Sequence, residues 1–457
     1  MIIVNAKDFG LTEGSTALQH KQIQDAIDHC FKNGGGEVII PKGEYTIGDI
    51  RIRSNNTLRL ESGCHLMGSR NPEDYFNYLK DEVEPFPENE ITDCPYVHWF
   101  ERPNEKEYEP DNPIYEYRRC AGSRWNNGLI RAYKAKNIKI IGERDSVIDG
   151  MNCYDAQGEE KYRGPHGITL FHCEDVELHG YTIQQTGNWA HWIAFSKNVN
   201  VNAVQVIAGH DGIDIFDCIN TSITNCEFYT GDDCIAGIGN INTYVNNCIL
   251  NTDCSAMRFG GTNAYIENCN AFGPAKYSFR GKMSQEDKEK GVSSPKSDKT
   301  EMASFFTYYA DFTMPIPATP SNIIIDNCYF EKAAHFIHYN FSGNEPWQKH
   351  KPLSNITFSN VRATDITAPS NLYGTPDEKI TLNLKNISVS VKDSSEAIDF
   401  IHACNYEEIN IENVKVNGKI KSFIRKWSDG KINIYQLDCD CDSQTETSIN
   451  EFSTNPI

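Results

Sequence analysis

The sequence predicts an all-β fold in which short strands wind into the stacked coils of a parallel β-helix. Three observations predict it: strand-like segments that recur every 21 to 22 residues, a cysteine that returns at one place in successive copies, and a single amphipathic helix near the N-terminus. A period of that length with several short strands per copy marks a solenoid, because no single copy buries its apolar face alone.

The helix comes first. Ile23, Ala26, Ile27 and Cys30 follow i, i+3, i+4, i+7 spacing, and the run GGG at 34–36 ends the pattern. This predicts a cap over about 15–33, which would shield the apolar interior of the first coil from water. Strand-like alternation follows in GGGEVIIPKGEYTIGDIRI, then in NIKIIG from Asn137 and DVELHGYTI from Asp175.

The repeat is clearest where NVNVNAVQV (from Asn198), NTSITNCEF (from Asn220), NTYVNNCIL (from Asn242) and TNAYIENCNAF (from Thr262) are aligned; the register returns after 22, 22 and about 21 residues. Cys226, Cys248 and Cys269 fall at matching positions, 22 and 21 residues apart, and should stack inside as reduced, small apolar groups. The pattern resumes with NIIIDNCYF, NITFSNV, NISVSV and EINIENVKV. Two stretches break it, about 70–128 and about 273–320, and read as long loops inserted into a single domain spanning 1–457.

Composition narrows the function. Asp and Glu number 63 against 43 Lys and Arg, a formal net charge of −20, and no basic run offsets it. Nucleic acid and anionic membranes are therefore not expected partners. The sequence shows no run of about 18 apolar residues and no basic-then-apolar start, so the expected location is the cytoplasm of a bacterium. The sixteen cysteines lack the compact spacing of a disulfide framework, and no Cys/His set has zinc-finger spacing. No metal and no cofactor is expected, and the oligomeric state stays open.

The chemistry concentrates in GHDGIDIFDCINTSITNCEFYTGDDCI, residues 209–235. Asp211 in HDG and the pair Asp232–Asp233 in GDD are one step apart, 232 − 211 = 21 residues. In a β-solenoid one period separates neighbours on adjacent coils, about 4.8 Å apart. Gly231 allows a turn through which both members of the pair reach one cleft. Three carboxylates held close repel one another, so at least one should keep its proton near neutral pH. That suits glycoside hydrolysis, in which one acid protonates the leaving oxygen while a carboxylate activates water. Coil-turn capping and a calcium site are the structural alternatives.

Further candidates surround this group. TDCSAMRFG contributes Asp253 and Arg258, and AKYSFRGKMS contributes Arg280 and Lys282, which point the same way if the strand is extended. A cation pair there would clamp a substrate carboxylate or serve as a structural counter-charge. Trp189, which alternates with Trp192 in TGNWAHW, is a candidate sugar-stacking ring, and Arg163 and His166 in YRGPHG are candidate contacts.

These residues, together with VIDG at 147–150, make the chain resemble glycoside hydrolase family 28, the polygalacturonase family of pectin-degrading, right-handed parallel β-helix enzymes. The family carries NTD, GDD, GHG and RIK motifs in that order. Here HDG stands at the first, GDD matches the second, and Arg280-Gly281-Lys282 stands at the fourth. The resemblance implies an inverting hydrolase in which Asp232 is the general acid, Asp211 and Asp233 hold and deprotonate water, and Arg280 and Lys282 grip a uronate. Two positions depart from it: Cys254 occupies the place of the GHG histidine, and His210 that of the NTD asparagine. The expected substrate is a pectin-derived oligosaccharide, attacked from one end at galacturonate residues. The alternatives are a relative releasing rhamnose, galactose or xylose, a β-helix lyase or epimerase, and a solenoid that binds sugar without chemistry.

Overall fold

Parallel ladders carry the whole architecture of the computed structural model, which describes residues 2–75, 127–293, 297–310, 320–341, 351–393, 396–449 and 452. Most of the stretch 70–128 lies outside the described residues. The framework divides into two compact units, Met1–Asp214 with Phe279–Pro295, and Ile215–Ser278 with Lys296–Ile457. Among the described residues no helix is long and apolar enough to cross a membrane.

In the first unit three ladders make a three-faced coil. One runs through Ile2–Asn5, Gly36–Ile40, Asn56–Leu60, Lys136–Gly142, Glu174–His179 and Lys197–Asn202. A second joins Gly43–Ile47, Cys64–Gly68, Val147–Asp149, Thr182–Gln184 and Gln205–Ala208. The third joins Ile50–Arg51, Gly128–Tyr133, His166–Phe171 and His191–Ala194. The cap helix is His20–Lys32 and buries Ile23, Ala26, Ile27 and Cys30, the four positions its spacing selects. It is fixed to the first coils by side chains as well as by apolar contact. Gln24 Nε2 donates to the Arg51 carbonyl at 3.0 Å while Gln24 Oε1 accepts the Arg51 N–H at 2.7 Å, and Arg53 pairs with Asp28 at 2.8 Å. Gly36 is required beneath it, since a Cβ there would come within 2.8 Å of Cys30 Sγ.

The second unit repeats the scheme, and its register equals the sequence period: Ile219 pairs with Ile241, 22 residues on, and Ile241 with Thr262, 21 residues on. Asparagine explains why the corners sit where they do. Asn220, Asn242, Asn263 and Asn322 all adopt left-handed backbone, with φ between 56° and 59°, which an Asn tolerates better than a branched residue. Their side chains then form a ladder, Asn242 donating to Asn220 at 3.0 Å, Asn263 to Asn242 at 3.3 Å and Asn322 to Asn263 at 3.0 Å. Asn242→Ala loses both the tolerance and two ladder bonds, and is expected to cost about 1–2 kcal/mol in urea unfolding. Asn242→Gly should cost less, because glycine keeps the turn.

Inside, Cys226, Cys248, Cys269 and then Cys328 are buried, and every described cysteine is unbridged. The stretch 273–320 is more than a loop. It contains the helix Gln285–Lys290 and the strand Met302–Tyr308, which pairs with both Ser255–Glu267 and Tyr329–Asn340. The extra chain is thus inserted between two strands of the ladder.

Candidate active site

In the second unit the GDD turn follows the strand Glu227–Thr230 and leads into Ile235–Asn246. Its backbone is pinned from two coils: the Thr230 hydroxyl donates to the Asp232 carbonyl at 2.8 Å, and the Thr252 hydroxyl donates to the same oxygen. Asp232 is left half-buried, whereas Asp233 is 0% exposed. Asp233 Oδ1 accepts the Ser255 N–H at 2.9 Å and Oδ2 lies 3.4 Å from Arg258 Nη1. The Arg258 guanidinium in turn sits 4.1 Å from the centre of the Tyr309 ring, a cation–π contact that fixes its plane.

Burial, and then the neighbouring Asp232 charge, push the Asp233 carboxyl above its ordinary value; Arg258, the Ser255 N–H and Cys254 pull it back. Cys254 is half-buried beside the pair, its own N–H held by the Thr252 hydroxyl at 2.8 Å. Burial and the two carboxylates raise its thiol well above the usual range, so it stands as a neutral S–H. Asp232, Asp233 and Cys254 place one donor atom each within 4.8 Å of one another.

Asp253, expected to meet substrate, instead holds the inserted segment to the coil. It is 2% exposed, one oxygen accepts the Ala275 N–H at 2.8 Å, the other accepts the Ser297 hydroxyl, and its carbonyl accepts from Lys299 at 3.0 Å.

The first unit holds Asp211, His210, Trp189, Arg280 and Lys282. Asp211 is almost fully buried and its carbonyl accepts the Ala190 N–H at 3.0 Å. His210 is 0% exposed, with its ring against Tyr162 at 5.7 Å and Phe279 at 5.6 Å. Burial foremost, with the Arg163 and Arg280 charges, drives it well below its ordinary value, so it is a neutral packed ring and not a substrate contact. Trp189 precedes the strand His191–Ala194 and packs on His166 at 5.3 Å and Trp192 at 5.5 Å; at 9% exposed it presents no open face for a sugar.

Arg280 and Lys282 do not point the same way. They form a single 3₁₀ turn, which sends Arg280 inward to 0% exposure and leaves Lys282 in solvent. The Arg280 guanidinium donates to the carbonyls of Asn152 at 3.1 Å, Lys288 at 3.4 Å and Gly187 at 3.5 Å, and burial lowers it to about 10. It is a cross-brace between distant backbone segments. Arg280→Met should therefore lower the melting temperature, at a cost on the order of 2–4 kcal/mol from carbonyls left unsatisfied, while Lys282→Ala leaves melting unchanged. An Arg280→Met protein that melts normally and loses only uronate affinity would restore the clamp.

Sequence reasoning missed Tyr162 and Lys288. Lys288 Nζ lies 4.3 Å from the Tyr162 ring centre and donates to the Gly281 carbonyl at 2.9 Å. Nothing in the charged run around 285–290 distinguishes this lysine from its solvated neighbours. Arg163 is equally committed, paired with Glu160 at 3.1 Å and Glu159 at 3.5 Å and bonded to Asn188 at 3.1 Å.

A model of glycosyl hydrolases family 28 matches residues 117–257, a span that includes HDG, GDD and Cys254 and stops before Arg258 and RGK. The family resemblance read from HDG and GDD is thus borne out. The chain is 24% identical over 241 residues to a probable polygalacturonase of Vitis vinifera, covering 50% of this chain and 43% of that protein. It is 26% identical over 271 residues to an exo-poly-alpha-D-galacturonosidase of Dickeya chrysanthemi, covering 52% and 42%. The matches thus span about two fifths of the length of those curated relatives. The solved family 28 exopolygalacturonase of Yersinia enterocolitica shares the fold, with a TM-score of 0.58 at 19% identity over 94% of this chain and 78% of that one.

Proposed function

We propose that the chain is an inverting glycoside hydrolase that releases sugars from one end of pectin-derived oligosaccharides, acting at galacturonate residues. The observation that carries the reading is the GDD turn: a partly exposed carboxyl, Asp232, beside a buried carboxylate, Asp233, held by the Ser255 N–H and the Arg258 guanidinium. That asymmetry gives two chemically identical side chains different environments, as acid–base division requires. Asp232 protonates the departing glycosidic oxygen, and Asp233 orients and deprotonates the water. Inversion calls for about 6.5–9.5 Å between acid and base carboxyls. The family match and the names of the two curated relatives support the substrate class.

A second reading, release of a neutral sugar such as rhamnose, galactose or xylose, is favoured by Arg280, which is 0% exposed and turns both Nη groups to backbone carbonyls instead of a uronate. One experiment separates them: incubate the protein with oligogalacturonides and with neutral pectic oligosaccharides and follow the anomer of the first product by NMR. Turnover of the uronates with inverted configuration is expected. Turnover of neutral members alone selects the second reading, and a retained configuration refutes the mechanism. Hydrolysis by inversion needs no metal, so turnover should survive chelation; a β-helix lyase that depends on calcium would lose it.

A further inference from the structure

We propose that Asp232, Asp233 and Cys254 form a three-ligand site for a divalent cation of the zinc class, and that its occupancy blocks hydrolysis. The donor set is mixed, two carboxylate oxygens and one thiol sulfur within 4.8 Å of one another. A tetrahedral zinc with bonds of about 2.0–2.3 Å holds its ligand atoms roughly 3.3–3.8 Å apart, which small side-chain rotations reach from this arrangement. The thiol selects the ion: three donors including sulfur are too few and too soft for calcium or magnesium, which take six or more oxygens.

Charge and support agree with that choice. Once Cys254 gives up its proton to solvent on binding, two carboxylates, one thiolate and the Arg258 cation sum to −2, which a divalent ion neutralises. The Asp233 carboxylate is oriented by the Ser255 N–H and Arg258, and the backbone that carries the other two ligands is pinned, Cys254 through its N–H on Thr252 and Asp232 through its carbonyl on Thr230 and Thr252. Asp232 and Cys254 are partly exposed, which provides the entry path. The fourth position is left to water. Ion binding rests on this geometry alone; its inhibitory effect rests on the roles proposed above, because the ion occupies the Asp232 carboxyl and keeps it from the glycosidic oxygen.

The test is a cobalt titration of the full chain carrying Cys439→Ser and Cys441→Ser, since those two thiols lie 2.9 Å apart and would bind soft ions themselves. A thiolate-to-cobalt charge-transfer band is expected, lost in Cys254→Ser, with affinity reduced at least about tenfold in Asp232→Asn, given that losing even a supporting partner costs 10–100-fold. No band in the folded Cys439→Ser/Cys441→Ser protein, or a band that survives Cys254→Ser, overturns the site. Zinc should suppress turnover and a chelator restore it, less so in Cys254→Ser. A cobalt band in a protein that cleaves no sugar sustains the ion site and removes the hydrolase reading instead.

Discussion

Asp232→Asn is expected to lower kcat on a natural oligosaccharide by about 10²–10⁴-fold, the usual contribution of a general acid, with the fold intact. The amide keeps the shape of the carboxyl and cannot deliver a proton. The turn does not depend on the side chain, because the Thr230 and Thr252 hydroxyls hold the Asp232 carbonyl and the next residue is tied through its own carboxylate. Far-ultraviolet circular dichroism and melting should match the parent. Leaving-group chemistry then isolates the role: an aryl glycoside whose phenolate departs unaided needs little protonation, so Asp232→Asn should recover most of its rate there. Asp233→Asn should not, since a water without its base attacks neither substrate. If Asp232→Asn is equally slow on both, the acid lies elsewhere.

Much of this is legible in the sequence. The 22- and 21-residue register follows from the corners, where Asn220, Asn242 and Asn263 combine left-handed backbone with a side chain that bonds its copy on the next coil. A local rule repeated at fixed intervals is readable in one dimension. The GDD motif was legible for the same reason, since glycine and adjacent acids mark a turn at a known place in the period. What escaped was set by distant partners. Arg280 is drawn inward by the carbonyls of Asn152 and Gly187, more than ninety residues away, and no spacing rule anticipates a 3₁₀ turn at RGK. Asp253 looked like a member of the acid cluster because of its level in the repeat, yet Ala275 and Ser297 consume its oxygens. The strand Met302–Tyr308 was hidden because it is apolar without alternation and is reached only after 49 residues, Ser255 pairing with Ser304.

The electrostatics of the pair make Arg258 the decisive residue. Burial and the Asp232 charge favour the protonated form of Asp233, which is the group proposed as base; that tendency opposes the division of labour unless a counter-charge corrects it. Arg258, 3.4 Å away and stacked on Tyr309, supplies a counter-charge that offsets part of the rise. Arg258→Gln is therefore expected to move the acid limb of the kcat/KM profile to higher pH by about one unit or more, the shift an opposite charge at this range ordinarily produces. Turnover should fall most at low pH and recover as pH rises. Stability should move in the opposite sense. A carboxyl whose folded value lies above its unfolded one contributes stability that is full below the unfolded value and lost as pH rises through the folded value. In Arg258→Gln this loss deepens, so melting temperature should drop more steeply between the ordinary carboxylate range and the raised value. Asp233→Asn in the same background should flatten the curve. If Arg258 instead grips substrate, its removal raises KM for uronates at every pH, spares neutral sugars and leaves the melting curve's pH slope unchanged; that pattern would take the counter-charge role away from it.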